Sequence, residues 1–196
     1  SGPQWLGEKL LRNKKVFAVS GTHGKTSTSS MLAWILEFNQ QNPGFLIGGV
    51  AENFKISARN TSSESFVIEA DEYDSAFFDK RSKFVHYHPR TLILNNLEFD
   101  HADIFEDLDA IKKQFHHLVR TVPGDGLIVQ NADESNLHDV IEKGCWSNKA
   151  EFSSDPAKAA NGLWAIDNVS QDGRQFDVLY QQKKQGTVKG HLLGPH

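Results

Sequence analysis

The stretch Val19–Ser30, VSGTHGKTSTSS, decides how the rest of the chain is read. Gly24, Lys25 and Thr26 stand between an apolar run, KVFAVS at 15–20, and the segment TSTSSMLAWILEFNQQ. In that segment Thr28, Met31, Leu32, Ile35 and Leu36 recur at helical spacing. Strand, glycine loop and helix in succession are the setting of a phosphate-binding loop. Backbone N–H groups and the helix N-terminus form an anion cradle there, the lysine reaches the β and γ phosphates, and the hydroxyl takes a place on Mg²⁺. The spelling is short, however. The common loop reads G-x-x-x-x-G-K-[ST], which would put its first glycine at position 19, occupied here by Val19; the nearest glycine is Gly21. The loop Gly21, Thr22, His23, Gly24, Lys25, Thr26 is therefore a damaged nucleotide site, a differently built one, or a Gly/Ser/Thr-rich turn with an incidental lysine.

Working outward, other apolar runs end in polar clusters of the same kind. FLIGGV at 45–50 reads as a strand ending in glycines, and ARNTSSES as a polar loop. SFVIEADEYD begins as a buried strand at 66–68 and runs into Glu69, Asp71, Glu72 and Asp74. A strand-end carboxylate facing the loop suits hard Mg²⁺, but alternation of side chains prevents all four from serving as ligands. TLILNNLEFDH repeats the arrangement, a strand at 91–94 followed by Asn95, Asn96, Glu98, Asp100 and His101. A helix is expected over 105–119, with Leu108, Ile111, Phe115 and Leu118 on one face, then a strand at 126–131 and a short helix stopped by Gly144. Strands alternating with helices predict an α/β fold, a mostly parallel sheet flanked by helices. Ligands of such sheets bind at the carboxyl ends of the strands, so the three clusters are expected to meet in one crevice.

Past about residue 150 the texture changes to alternating strands, with turns expected at QDGR and KKQG. The expectation is a single domain, a parallel core over 1–150 and a mostly antiparallel meander over 151–196. A formal net charge of −4 argues against nucleic acid as a partner, and no apolar run is long enough to span a membrane. The lone cysteine, Cys145, makes no internal disulfide and is expected to be a buried structural thiol. With no signal-peptide layout at the start, a cytoplasmic setting is expected. His86, His88, His116, His117, His138 and His191 are read as structural or solvent-facing, and His101 earns attention only through its place at a strand end.

Taken together, GTHGKTST, EADEYD and NNLEFDH resemble the Mur ligase superfamily, ATP-dependent amide-forming ligases of peptidoglycan precursors. The loop of that family is G-x-x-G-K-[ST], so the resemblance answers the spelling question: this is a different loop, not a broken one. The wording of 67–105 is most like the branch that joins UDP-N-acetylmuramate to the murein tripeptide L-alanyl-γ-D-glutamyl-meso-diaminopimelate; the branch that adds L-alanine is the alternative, and a non-catalytic P-loop module the alternative of another class. The resemblance implies roles. Lys25 would hold the β and γ phosphates; Thr26 and Glu69 the first Mg²⁺; His101 a second; Asn96 the γ-phosphate end. Residues 21–26 with Ser27 would cradle ATP, His23 would face the nucleotide-sugar, and His196, in a truncated G-x-H-N segment, the adenine. Some members carry a carbamylated lysine where this chain has Phe115, so no carbamate is expected. The resemblance also implies that UDP-binding N-terminal and amine-admitting C-terminal domains lie outside this chain, and that the chain alone does not turn over.

Overall fold

The first apolar run alternates between two cores. In β1 (Lys15–Ser20) Val16 and Ala18 join one buried cluster, while Phe17 packs against another. The same split occurs in β4 (Ser65–Glu69), where Phe66 and Ile68 face the first cluster and Val67 the second. A sheet buried on both faces needs helices on both. The computed structural model, which describes residues 1–99 and 105–190, supplies them. A short helix α1 (Gly2–Leu6) and a π-helical turn precede β1. After the glycine loop, α2 (Lys25–Phe38) covers the second cluster, packing on β1, β4 and the strand that follows it, β2 (Gly44–Ala51). On the other face lie α3 (Leu108–Val119) and α4 (Ser135–Glu142), whose Phe115, Leu118, Leu137 and Val140 are fully buried.

Among the described residues ten strands form one sheet. Besides β1, β2 and β4 it contains β3 (Ile56–Arg59), β7 (Thr91–Leu94), β8 (Leu127–Asn131), β9 (Asn148–Ser153), β10 (Trp164–Asp167), β11 (Gln175–Tyr180) and β12 (Lys183–Lys189). The order is β12-β11-β10-β9-β8-β7-β1-β4-β2-β3. From β10 to β2 every neighbouring pair is parallel; β11 and β12 on one edge and β3 on the other are antiparallel. This is the expected α/β architecture with antiparallel strands near the C-terminal end. The chain leaves β1 toward one side, to β4 and β2, and later returns to its other side at β7. The order thus reverses beside β1, and the crevice at such a reversal is where open α/β sheets take their ligands.

Several local expectations differ from the structure. The helix expected from 105 starts at Leu108, because the Asp107 carboxylate accepts the Ala110 N–H at 2.8 Å and caps it. KKQG is not a turn but the start of β12; the chain reverses at Gln181 and Gln182, with φ of 49° and 60°. Two successive left-handed residues suit the twist of a hairpin, and without glycine or asparagine they leave little trace in a sequence. The loop expected at 58–65 gives its first two residues to β3, an exposed edge strand without alternation. A separate hairpin, β5 (Asp74–Ala76) with β6 (Asp79–Ser82), follows the acidic run. Cys145 is half-buried against the core rather than fully enclosed.

Candidate active site

The glycine loop closes over the carboxyl end of β7. Gly21, at φ 155°, sits so near that strand that a Cβ would lie 3.0 Å from Asn96 Oδ1 and 3.2 Å from Asn95 Cβ. Only glycine allows this approach. Asn96 then clamps the loop: its Oδ1 accepts the His23 N–H at 2.8 Å and its Nδ2 donates to the His23 carbonyl at 3.2 Å. The Thr22 hydroxyl accepts the Glu98 N–H at 2.9 Å, and Asn95 Nδ2 donates to Thr28 Oγ1 at 2.9 Å. The missing residues of the short loop are in this way replaced by a scaffold of strand-end asparagines. Gly24, at φ 78°, turns the chain into α2 without a side-chain cap, leaving the first N–H groups of the helix directed into the crevice.

Lys25, the first residue of α2, turns its ammonium back into the loop. Nζ donates to Gly21 O at 2.7 Å and lies 3.1 and 3.3 Å from the two carboxylate oxygens of Glu72. Glu72 is 3% exposed and the Lys25 side chain 11%. The Thr26 hydroxyl lies 3.1 and 3.0 Å from the Glu69 oxygens, and Glu69 also accepts the Gly48 N–H at 2.8 Å. Of the four acids expected after β4, Glu69 and Glu72 therefore face the loop. Asp71 caps the Tyr73 N–H at 2.8 Å, and Asp74 pairs with Lys80 at 2.7 Å in the hairpin. Glu72 as partner of Lys25, and Gly48 as support of Glu69, were not singled out from the sequence. Three-residue spacing from Glu69 hints at the first, since a bend after the strand can turn both acids inward.

The other expected site residues are distributed as follows. His23 is exposed, its Nε2 4.0 Å from Glu98 Oε2. Ser27 is exposed on the first turn of α2. His101 and His196 lie outside the described residues. Phe115 is buried, its ring 5.8 Å from that of Phe84 at an interplanar angle of 80°. The histidines read as structural behave so where described: His116 and His138 contact the carbonyls of Gly144 and Ala132, each at 3.1 Å, and His86 lies between Ser75 and Asp79.

A hydroxyl and a carboxylate in contact at the mouth of an N–H cradle are hard oxygen donors. Among the described residues no cluster of three or more His, Cys, Asp and Glu could hold a metal ion. A cation here would complete its shell with phosphate oxygens and water, which is how Mg²⁺ is usually bound, so the residues fit that ion. A cleft of about 550 Å³ lies elsewhere, beside the amino ends of β1 and β7, lined by Lys9, Arg12, Lys14, Arg81 and His88 among others. It has no glycine loop among its lining residues. Among the described residues no helix is long and apolar enough to cross a membrane.

Comparison with known proteins identifies the family. Residues 19–196 match the Mur ligase middle domain. The UDP-N-acetylmuramate–L-alanyl-gamma-D-glutamyl-meso-2,6-diaminoheptandioate ligase of Escherichia coli is 55% identical over 196 residues, 100% of this chain and 42% of that protein. The UDP-N-acetylmuramate–L-alanine ligase of Dictyoglomus turgidum is 33% identical over 189 residues, 95% of this chain and 38% of that protein. A crystal structure of the UDP-N-acetylmuramate:L-alanyl-gamma-D-glutamyl-meso-diaminopimelate ligase from Neisseria meningitides superposes with a TM-score of 0.91 at 56% identity, covering 100% of this chain and 61% of that one. The chain thus spans about two fifths of the length of the curated relatives it matches.

Proposed function

The chain belongs to the Mur ligase family, as a middle domain, and from that premise we propose that it is the ATP-handling part of a ligase joining UDP-N-acetylmuramate to L-alanyl-γ-D-glutamyl-meso-diaminopimelate. The observation that carries the choice of substrate is the identity, 55% over 196 residues to a ligase named for that tripeptide against 33% over 189 residues to one named for L-alanine. The parallel part of the sheet extends past residue 150, to β10, and the antiparallel part at the C-terminal end is limited to β11 and β12. Recognition of UDP and of the entering amine belongs to further parts of a longer protein.

The reaction runs in two steps. The muramyl lactate carboxylate attacks the γ-phosphorus of ATP; the bond to the bridging oxygen breaks, giving an acyl phosphate and ADP. The tripeptide amine then attacks the acyl carbon, phosphate departs, and the amine gives up a proton. An anion attacking a polyanion is slow unless charge is neutralised and the partners are aligned. The N–H groups of residues 21–26, with Ser27 beside them, cradle the phosphates, and Lys25 neutralises the β and γ groups. Thr26 and Glu69 would hold Mg²⁺, with His101 at a second ion; bound there, the metal neutralises phosphate charge. Asn96 fixes the loop and would set the γ-phosphate end of the site, exposed His23 would face the nucleotide-sugar, and His196 would serve the adenine.

The test is a ligation assay on the intact protein with ATP and UDP-N-acetylmuramate, offering the tripeptide and then L-alanine. Product with the tripeptide, lost on Lys25→Ala, is expected. Product with L-alanine alone moves the chain to the other branch, and no ATP-dependent product with either refutes the ligase reading.

A further inference from the structure

The phosphate loop is furnished with two carboxylates, although its ligand is a polyanion. Glu69 has an evident use beside Thr26. Glu72 does not, since it sits against Lys25, the one side chain of the loop that can cancel phosphate charge. Both Glu72 oxygens lie within 3.3 Å of Nζ, and the carboxylate is 3% exposed. A buried ion pair of this kind adds little net stability, because desolvation cancels most of the attraction. Its effect on the crevice is larger: the lysine charge is largely cancelled before any ligand arrives. We propose that Glu72 is a specificity-determining residue, a counter-charge that offsets Lys25 and makes the loop discriminate against phosphate anions that arrive without a divalent cation.

The physical reasoning is a charge count. Among the described residues, with Glu72 ionised against Lys25, Lys25, Glu72 and Glu69 contribute one positive charge and two negative ones. Metal-free ADP brings further negative charge into this setting and is repelled by the carboxylates, above all by Glu72, whose low exposure leaves it poorly screened. A magnesium nucleotide brings its own compensation: the ion engages Glu69, and the lysine charge is then sufficient for the phosphates. Removing the Glu72 charge leaves Lys25 uncompensated and opens the loop to bare anions. The geometry of the ammonium would change little, because Gly21 O at 2.7 Å and Thr22 O at 3.5 Å still receive it.

This inference rests on the nucleotide-binding reading above, and one experiment separates the two. ADP affinity of the intact protein is measured by titration calorimetry with excess Mg²⁺ and with EDTA, for the wild type, Glu72→Gln and Glu72→Asp. The wild type is expected to prefer the magnesium complex strongly. Glu72→Gln should tighten binding of metal-free ADP by roughly tenfold and so narrow the preference, whereas Glu72→Asp, which keeps the charge, should retain most of it. A purely structural role predicts that Glu72→Gln weakens both forms alike, and that result overturns the proposal. A wild type that binds both forms equally overturns it too, even if Glu72→Gln fails to fold. A wild type that binds neither form refutes the nucleotide reading itself.

Discussion

Replacing Gly48 by alanine should detune the metal-binding half of the site while leaving the fold intact. A Cβ at position 48 would come within 3.0 Å of Glu69 Oε2 and 3.3 Å of Oε1, where ordinary contact begins near 3.4 Å. The carboxylate must therefore retreat by a few tenths of an ångström, away from the Gly48 N–H at 2.8 Å and off its seat beside Thr26 Oγ1. The obstacle is the far end of a flexible side chain, and Gly48 lies in a strand at a position without a left-handed backbone. Stability should hence change by less than about 1 kcal/mol, since alanine also offsets some of the entropy cost of glycine. Displacing the support of a metal ligand typically lowers metal affinity 10–100-fold, so the Mg²⁺ concentration giving half-maximal enhancement of ADP binding should rise by at least about tenfold. Calorimetric ADP titrations across a Mg²⁺ series, with a thermal melt of each protein, check both statements. An unchanged Mg²⁺ requirement in a normally folded Gly48→Ala protein would show that Glu69 is not a ligand, and the reasoning would fail there.

Other consequences follow from the core and the edges. Phe115→Ala empties a fully buried position against Phe84; a loss of about 3–5 kcal/mol, and a melting temperature lower by on the order of 10 °C, should be seen in calorimetry. Hydrogen bonds from Lys184, Thr187 and Asn168 hold the Asp177 carboxyl down at about 2. Its folded value is below the unfolded one of about 3.9, so its contribution is fully present above roughly pH 4 and is lost as pH falls toward about 2. Asp177→Asn should flatten the acid limb of the stability profile between these limits, as urea melts at stepped pH would reveal.

Much of this architecture was legible because burial on both sheet faces writes itself into short apolar runs. β1, β4, β7 and β8 each read as such a run bounded by polar residues, and Gly21, Gly24 and Lys25 mark the junction with α2. What escaped was structure held by polar contacts. β5 and β6 are short and polar, and their pairing depends on particular contacts such as Ser75 Oγ donating to Arg81 O at 2.8 Å. The turn at Gln181 and Gln182 lacks the residues that usually announce one. Within the site, the loop and Glu69 stood out by position. The attachment of Glu72 to Lys25, and of Asn96 to the backbone of His23, depends on how the chain bends after each strand, which periodicity does not record.

The central claim is that the short loop and Glu69 receive one nucleotide with its magnesium ion. Amide chemical-shift mapping of the ¹⁵N-labelled protein, titrated with ADP and Mg²⁺, tests it most directly. The account predicts saturable shifts at residues 21–26, 48 and 69, moving together with one dissociation constant. Shifts confined to the basic cleft around Lys9 and Arg12, or none at the loop at saturating nucleotide, would contradict it.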